Sequence, residues 1–117
     1  MTDKLDIVGI GNAMVDAIIP SNKGEVEKNN LNRDSMNLID EDLKNSLHNN
    51  YSIKEMAGGG SLGNSMFGIT SFGGNGSFIG KIKNDEVGIF LQKDMVREGL
   101  QFPLGFTSPE ISTGCCT

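Results

Sequence analysis

Met56-Ala57-Gly58-Gly59-Gly60-Ser61-Leu62-Gly63-Asn64-Ser65 carries four glycines within six residues and runs straight into an apolar, helix-like segment. A side chain at any of those four positions would help a packed core. Their absence points to backbone at positive φ or to close approach by another group. A second stretch complements the first. Asp6-Ile7-Val8-Gly9-Ile10-Gly11-Asn12-Ala13-Met14-Val15-Asp16 is an apolar strand that ends in an amide and a carboxylate. Together the two stretches read as two walls of one small-molecule site.

Working outward, Leu5 to Ile10 is a continuous apolar run suited to a strand buried on both faces. Val15 to Ile19 continues extended as far as Pro20 and the Ser21-Asn22-Lys23-Gly24 turn. Glu25 to Asn37 is a polar excursion with room for one or two short strands. Asp40 is placed to cap a helix over Glu41–Leu47, with His48 at its end as a partner for the helix dipole. Ser52–Met56 predicts a short strand, Asn64–Phe72 a helix ended by Gly73-Gly74, and Ser77–Ile82 another strand. The clearest helix is Asp85–Glu98, with Val87, Phe90, Leu91, Met95 and Val96 on one stripe and Gly99 as its stop. Leu100-Gln101-Phe102 begins a further strand. Alternating strands and helices predict right-handed βαβ units, a mainly parallel sheet, and a ligand beyond the carboxyl ends of its strands. Asn12, Asp16 and the glycine run fall there.

Composition narrows the function. The 117 residues include 16 glycines without periodicity or low complexity, which suits many tight turns. A net charge of −5 disfavours nucleic acid and an anionic membrane as partners. No apolar run approaches the roughly 20 residues of a membrane span, and Met1-Thr2-Asp3-Lys4-Leu5-Asp6 lacks the order of a signal peptide. Cys115 and Cys116 are adjacent, which disfavours a bond between them, and both read as strand residues of a reduced, cytoplasmic protein. Ile111–Thr117 has the character of a strand just beginning, so the chain is expected to be the N-terminal piece of a longer protein.

Gly58, Gly60 and Gly63 form a G-x-G-x-x-G, with Asp85 about the distance away that a dinucleotide site wants its acid. The motif follows a later strand, however, and Asp85 opens a helix. Gly9 and Gly11 follow the first strand, but Met14 holds the third glycine position. Three readings stay open for the glycine run: a dinucleotide site, a purely structural turn, and the preferred one, a turn whose backbone approaches a polar ligand with Asn64 projecting toward it. Asp16 lies within so apolar a run that it needs hydrogen bonds or a pocket. A carboxylate accepts from two neighbouring hydroxyls at once, which suits a vicinal diol, and a solvent-facing acid is the plainer alternative. Lys81 is read as an exposed strand lysine. The sequence holds no serine-hydrolase elbow, zinc motif or P-loop lysine motif.

The opening Asp6–Asp16 stretch, Gly59-Gly60-Ser61-Leu62-Gly63-Asn64-Ser65 and Ser77-Phe78-Ile79-Gly80-Lys81-Ile82-Lys83-Asn84-Asp85-Glu86-Val87-Gly88 resemble, in order and spacing, the ribokinase-like (PfkB-type) carbohydrate and nucleoside kinases. Among its branches the chain looks closest to adenosine kinase-like and general sugar kinases. The resemblance implies an α/β fold, a three-layer α/β/α sandwich on a mainly parallel sheet with a small β lid. Residues 1–117 would form the N-terminal part of one kinase domain. Its core would span about 1–16 and 40–102, with lid segments at about 17–39 and 103–117. The residues matching the family's acceptor site are Asn12, Asp16, Gly59, Gly60 and Asn64. Met66 stands where the family signature expects a small residue, and Lys83 where glycine is common.

The implied activity is ATP-dependent phosphorylation, with Mg²⁺, of a hydroxyl on an adenosine-like nucleoside or a sugar. The family's catalytic aspartate lies in a Gly-x-Gly-Asp motif, which this sequence does not contain. The chain is therefore expected to supply the acceptor-binding half without the base, most of the ATP site or a metal site, and to be inactive alone. The small-molecule acceptor is the expected partner, and the lid leaves room for a homodimer. A non-catalytic sugar or nucleoside binder on the same fold is the alternative, and a dinucleotide-dependent oxidoreductase stands third.

Overall fold

Ile7–Ile10 (β1) and Gly76–Ile79 (β4) pair in parallel, with Ile7 opposite Gly76 and Ile10 opposite Ile79. These two strands anchor the computed structural model, which describes residues 4–117. Residues up to Asp16 together with Met56–Cys116 form one packed unit, and Ala17–Glu55 with Thr117 form another.

In the first unit the chain crosses from β1 to β4 through a helix, Ser61–Ser71 (α3), as the parallel pairing requires. A second helix, Glu86–Arg97 (α4), returns the chain to Gln101, which bridges Ser77 in parallel on the other side of β4. The core gathers Phe78, Met66, Ile82, Leu91, Met95 and Val15, each at most 1% exposed. Full burial of side chains of this size stabilises by about 1.5–3 kcal/mol each. Met66 fits because two facing positions have no side chain: a Cβ on Gly9 would lie 2.9 Å from its sulfur, and one on Gly76 would lie 3.0 Å from its Cε. The bulk at position 66 is thus accommodated by the strands beneath it.

Met14–Ile18 (β2) lies between Glu55–Gly59 (β3) and Gly114–Cys116 (β5) in a separate three-stranded sheet. β2 and β5 run parallel, with Asp16 opposite Cys116. The junction between α4 and β5 is held by Asp85. Its carboxylate caps α4 by accepting from the Gly88 amide at 2.7 Å, and it also accepts from the Thr113 hydroxyl and amide at 2.8 and 3.0 Å.

In the second unit, Asp40 caps Glu41–Asn50 (α2) by accepting from the Leu43 amide at 2.8 Å. The helix runs three residues past the expected Leu47. Between Glu25 and Asn37, where one or two short strands were expected, the described residues form one helical turn, Glu25–Lys28 (α1). Gly24 at φ 90° and the Glu25 carboxylate, which accepts from the Asn22 amide, turn the chain there.

Other departures have local causes. β3 begins three residues later than the Ser52 start expected, and it takes in Gly58 and Gly59, which the sequence reading left in a turn. α3 begins at Ser61 rather than Asn64, because only Gly60 needs the positive φ that ends the strand. β4 stops at Ile79, Gly80 packs against the Gly11 carbonyl, and Ile82 is left with a lone bridge to Phe106. Leu100-Gln101-Phe102 forms only the Gln101 bridge, and the last strand starts at Gly114. Val96 is 60% exposed, so the stripe facing the core is Val87, Leu91 and Met95, with Phe90 partly buried against it and Asp94 among them.

Candidate functional site

The alternation of β2 sets the direction of Asp16. Val15 and Ala17 are buried and Asp16 between them is exposed, as a pleated strand demands. The Asp16 carboxylate lies across the buried Gly59, where an added Cβ would be 2.5 Å from its Cγ and Oδ1. A side chain at position 59 and the carboxylate cannot share that space. Gly59 is thus part of the floor on which Asp16 rests.

Gly60 follows at φ 80° and ψ 158°, a combination essentially confined to glycine, and serves as the N-cap of α3. Its carbonyl accepts from the Asn64 amide at 2.9 Å, which places Asn64 one turn into the helix with its side chain exposed. Asn12, in the short link from β1 to β2, brings its carbonyl to 3.7 Å from where a Cβ of Gly60 would stand. No acidic residue occupies the first turn of α3, and the Asp16 carboxylate lies against Gly59, the residue before its N-cap. The positive pole of the helix favours its charge. Among the described residues the side chains of Asn12, Asp16 and Asn64 make no hydrogen bond or ion pair, which leaves their donors and acceptors for solvent or a ligand.

Asn12 also lines a cleft of about 620 Å³ at the carboxyl ends of β1 and β4, with Gly11, Met14, Ile79, Gly80 and Lys81. The cleft lies where open parallel sheets take their ligands. Asp16, Gly59 and Asn64 do not line it. A cleft of similar volume in the second unit is bordered by Ser21–Gly24, Glu27 and Arg33, all exposed. There the Arg33 guanidinium bonds Glu27 at 3.2 Å. Hydrogen bonding from its own backbone, and then from Arg33, holds the Glu27 carboxyl below its ordinary pKa. That pair serves the surface of its own unit.

The G-x-G-x-x-G residues divide into unrelated roles. A Cβ on Gly58 would lie 2.7 Å from Phe67 Cε2, Gly60 caps α3, and Gly63 is buried inside the helix. Asp85, the acid of the dinucleotide reading, is engaged in capping α4. Gly9 and Gly11 face Leu62 and Met66 of α3 rather than a phosphate. His48 ends α2 with its Nε2 2.9 Å from the Thr117 hydroxyl. Cys115 and Cys116 of β5 form no disulfide among the described residues, and Cys116 is exposed beside Asp16 in register.

Sequence reasoning missed Asp94. It is 7% exposed on the inner face of α4, and its Oδ2 accepts from the Gly58 amide at 3.1 Å, while Oδ1 pairs with Arg97. The available signal was an acid on an apolar stripe with an arginine three residues on.

Neither a family model nor a curated protein sequence matches the chain. Solved structures do. An adenosine kinase from Sinorhizobium meliloti is 34% identical with a TM-score of 0.70, covering 91% of this chain and 32% of its own. A "probable sugar kinase protein" from Rhizobium etli CFN 42 is 29% identical at TM-score 0.70, covering 91% and 31%. Adenosine kinase from Schistosoma mansoni, in complex with adenosine in an occluded loop conformation, is 21% identical at TM-score 0.75, covering 96% and 35%, and speaks for the fold alone. The fold is therefore the ribokinase-like α/β sandwich shared by sugar and adenosine kinases. The chain spans about a third of the length of these structures.

Proposed function

We propose that this chain supplies the acceptor-binding half of a kinase that transfers the γ-phosphoryl group of ATP to a hydroxyl of an adenosine-like nucleoside or a sugar. The carrying observation is the Asp16 carboxylate, unpartnered among the described residues and laid over Gly59 beside Asn12 and the start of α3. Its two oxygens accept from two neighbouring ring hydroxyls, and Asn64 and Asn12 add an amide on either side. Likeness to kinases at 29% and 34% identity supports the reaction class.

In this reading the residues bind and orient. Holding the acceptor so that one hydroxyl points at the phosphoryl donor converts a bimolecular encounter into an intramolecular one. The acceptor oxygen bonds to the γ-phosphorus, the bond to ADP breaks, and the proton passes to a base that this sequence does not include. Among the described residues no group of three or more His, Cys, Asp or Glu is placed to hold a metal. The residues here therefore do not fit a Mg²⁺ site. We assign ATP and Mg²⁺ to other parts of the full-length protein, and the protein to the reducing cytoplasm.

The test is ATP consumption by the full-length protein across adenosine, ribose, fructose and related sugars. Saturable turnover with one class of acceptor, and none by residues 1–117 alone, is the expected result. Tight calorimetric binding of adenosine or a sugar without turnover favours the non-catalytic binder instead.

A further inference from the structure

We propose that Asp94 is a positioning residue for the acceptor site, acting through the Gly58 amide; the inference rests on the reading of Asp16 and Gly59 given above. β3 is an outer strand of its sheet, and the Gly58 N–H is satisfied by a side chain rather than by another strand. The acceptor is Asp94 Oδ2, at 3.1 Å and 36 residues away in sequence. Asp94 comes from the buried face of α4, which is fixed in the core by Val87, Leu91 and Met95. A buried carboxylate needs its lone pairs matched, and Arg97 takes the other oxygen. Phe67 of α3 closes the remaining side, since a Cβ on Gly58 would lie 2.7 Å from its ring and 2.9 Å from Asp94 Oδ2.

Gly58 is clamped between two helices, and the next residue, Gly59, carries the Asp16 carboxylate. Three consecutive glycines have the softest backbone a chain can offer. Without the tether the strand that supports Asp16 is free to shift. Misplacement of a binding group by about 1 Å is enough to cost a large factor in rate. The tether sets the height of the floor under Asp16 and contributes nothing to the ligand directly.

The test compares Asp94→Ala, Asp94→Asn and Leu91→Ala in the full-length protein. Leu91 is fully buried in the same helix, so its truncation reports general loss of packing. In Asp94→Ala, hydrogen exchange at the Gly58 amide should accelerate at least about tenfold more than in Leu91→Ala. The acceptor KM should rise by about tenfold, one charge-assisted bond's worth, with the ATP KM within about twofold of wild type. Asp94→Asn keeps an oxygen for Gly58 and should recover most of both effects. Unchanged Gly58 exchange in Asp94→Ala, or an acceptor KM that moves no further than in Leu91→Ala, overturns the proposal. If wild-type protein consumes no ATP, the kinase reading has failed separately. Calorimetric affinity for adenosine then replaces KM, with the same two outcomes deciding.

Discussion

The Asp16 carboxylate and the Cα of Gly59 occupy one another's space so closely that a methyl group on Gly59 would stand 2.5 Å from Asp16 Cγ. A strand glycine is ordinarily a weakness, with backbone entropy lost and no side chain to pack. Here it is the condition for an acid to lie flat on the sheet. In the full-length protein Gly59→Ala should therefore lower kcat/KM for the acceptor at least as much as loss of the carboxylate itself. Steady-state kinetics check this, and a Gly59→Ala protein with wild-type acceptor kinetics would show that the carboxylate can move without consequence.

Asp16→Asn keeps the shape and weakens each bond to a hydroxyl. Charge-assisted bonds are worth about 1.5–3 kcal/mol each, so losing the charge from two should lower acceptor kcat/KM by about two orders of magnitude. The KM for ATP should hold within about twofold. Asn64→Ala should act in the same direction but more mildly, since a neutral group is lost. Acceptor kinetics within twofold of wild type in Asp16→Asn would return Asp16 to solvent.

Met66 and Gly9 should behave as one packing unit. Gly9→Ala drives a methyl against the Met66 sulfur and the Leu62 methyls, an overpacking expected to cost about 1–3 kcal/mol. Met66→Ala opens a cavity and should cost about 2–5 kcal/mol. In the double variant the new methyl fills part of the space vacated. The two costs should sum with a favourable coupling of about 1 kcal/mol, read from urea midpoints at constant m. Strict additivity would mean that Met66 leaves its place over β1.

Asp85 should matter more to stability than Thr113. Asp85→Ala removes the cap of α4, worth about 0.5–2 kcal/mol, and leaves the buried Thr113 amide without its acceptor. Thr113→Val removes the hydroxyl that accepts from the Lys83 amide at 3.0 Å and donates to Asp85 at 2.8 Å, but it keeps the α4 cap and the bond from the Thr113 amide. Denaturant unfolding should rank Asp85→Ala below Thr113→Val by about 1 kcal/mol or more.

The elements legible in the sequence were those whose determinants lie within a few residues of one another. For α4 the capping acid, the Val87–Leu91–Met95 spacing and Gly99 at φ 92° are all local, and the helix falls where they place it. Asp40 and α2 behave likewise. The glycine run was legible as special but not as structure, because its determinants are distant. Gly58 is extended on account of Asp94 and Phe67, and Gly59 on account of Asp16. Single-residue propensity would keep both out of a strand. Asp94 is invisible to a count of apolar residues along its stripe, which puts the exposed Val96 inside and gives the buried acid no place.

The parallel pairing of β1 with β4 also has a tempo. The Asn75 amide at the start of β4 donates to the Asp6 carboxylate just ahead of β1, across 69 residues of chain. At a synthesis rate of about 5–20 residues per second, Ile7-Val8-Gly9-Ile10 leaves the ribosome about 3–14 s before its partner strand follows. Until then it is an apolar strand with both edges open, the form most prone to join a neighbouring chain. Slower synthesis of residues 11–75 therefore lengthens the time for which this strand stays unpaired.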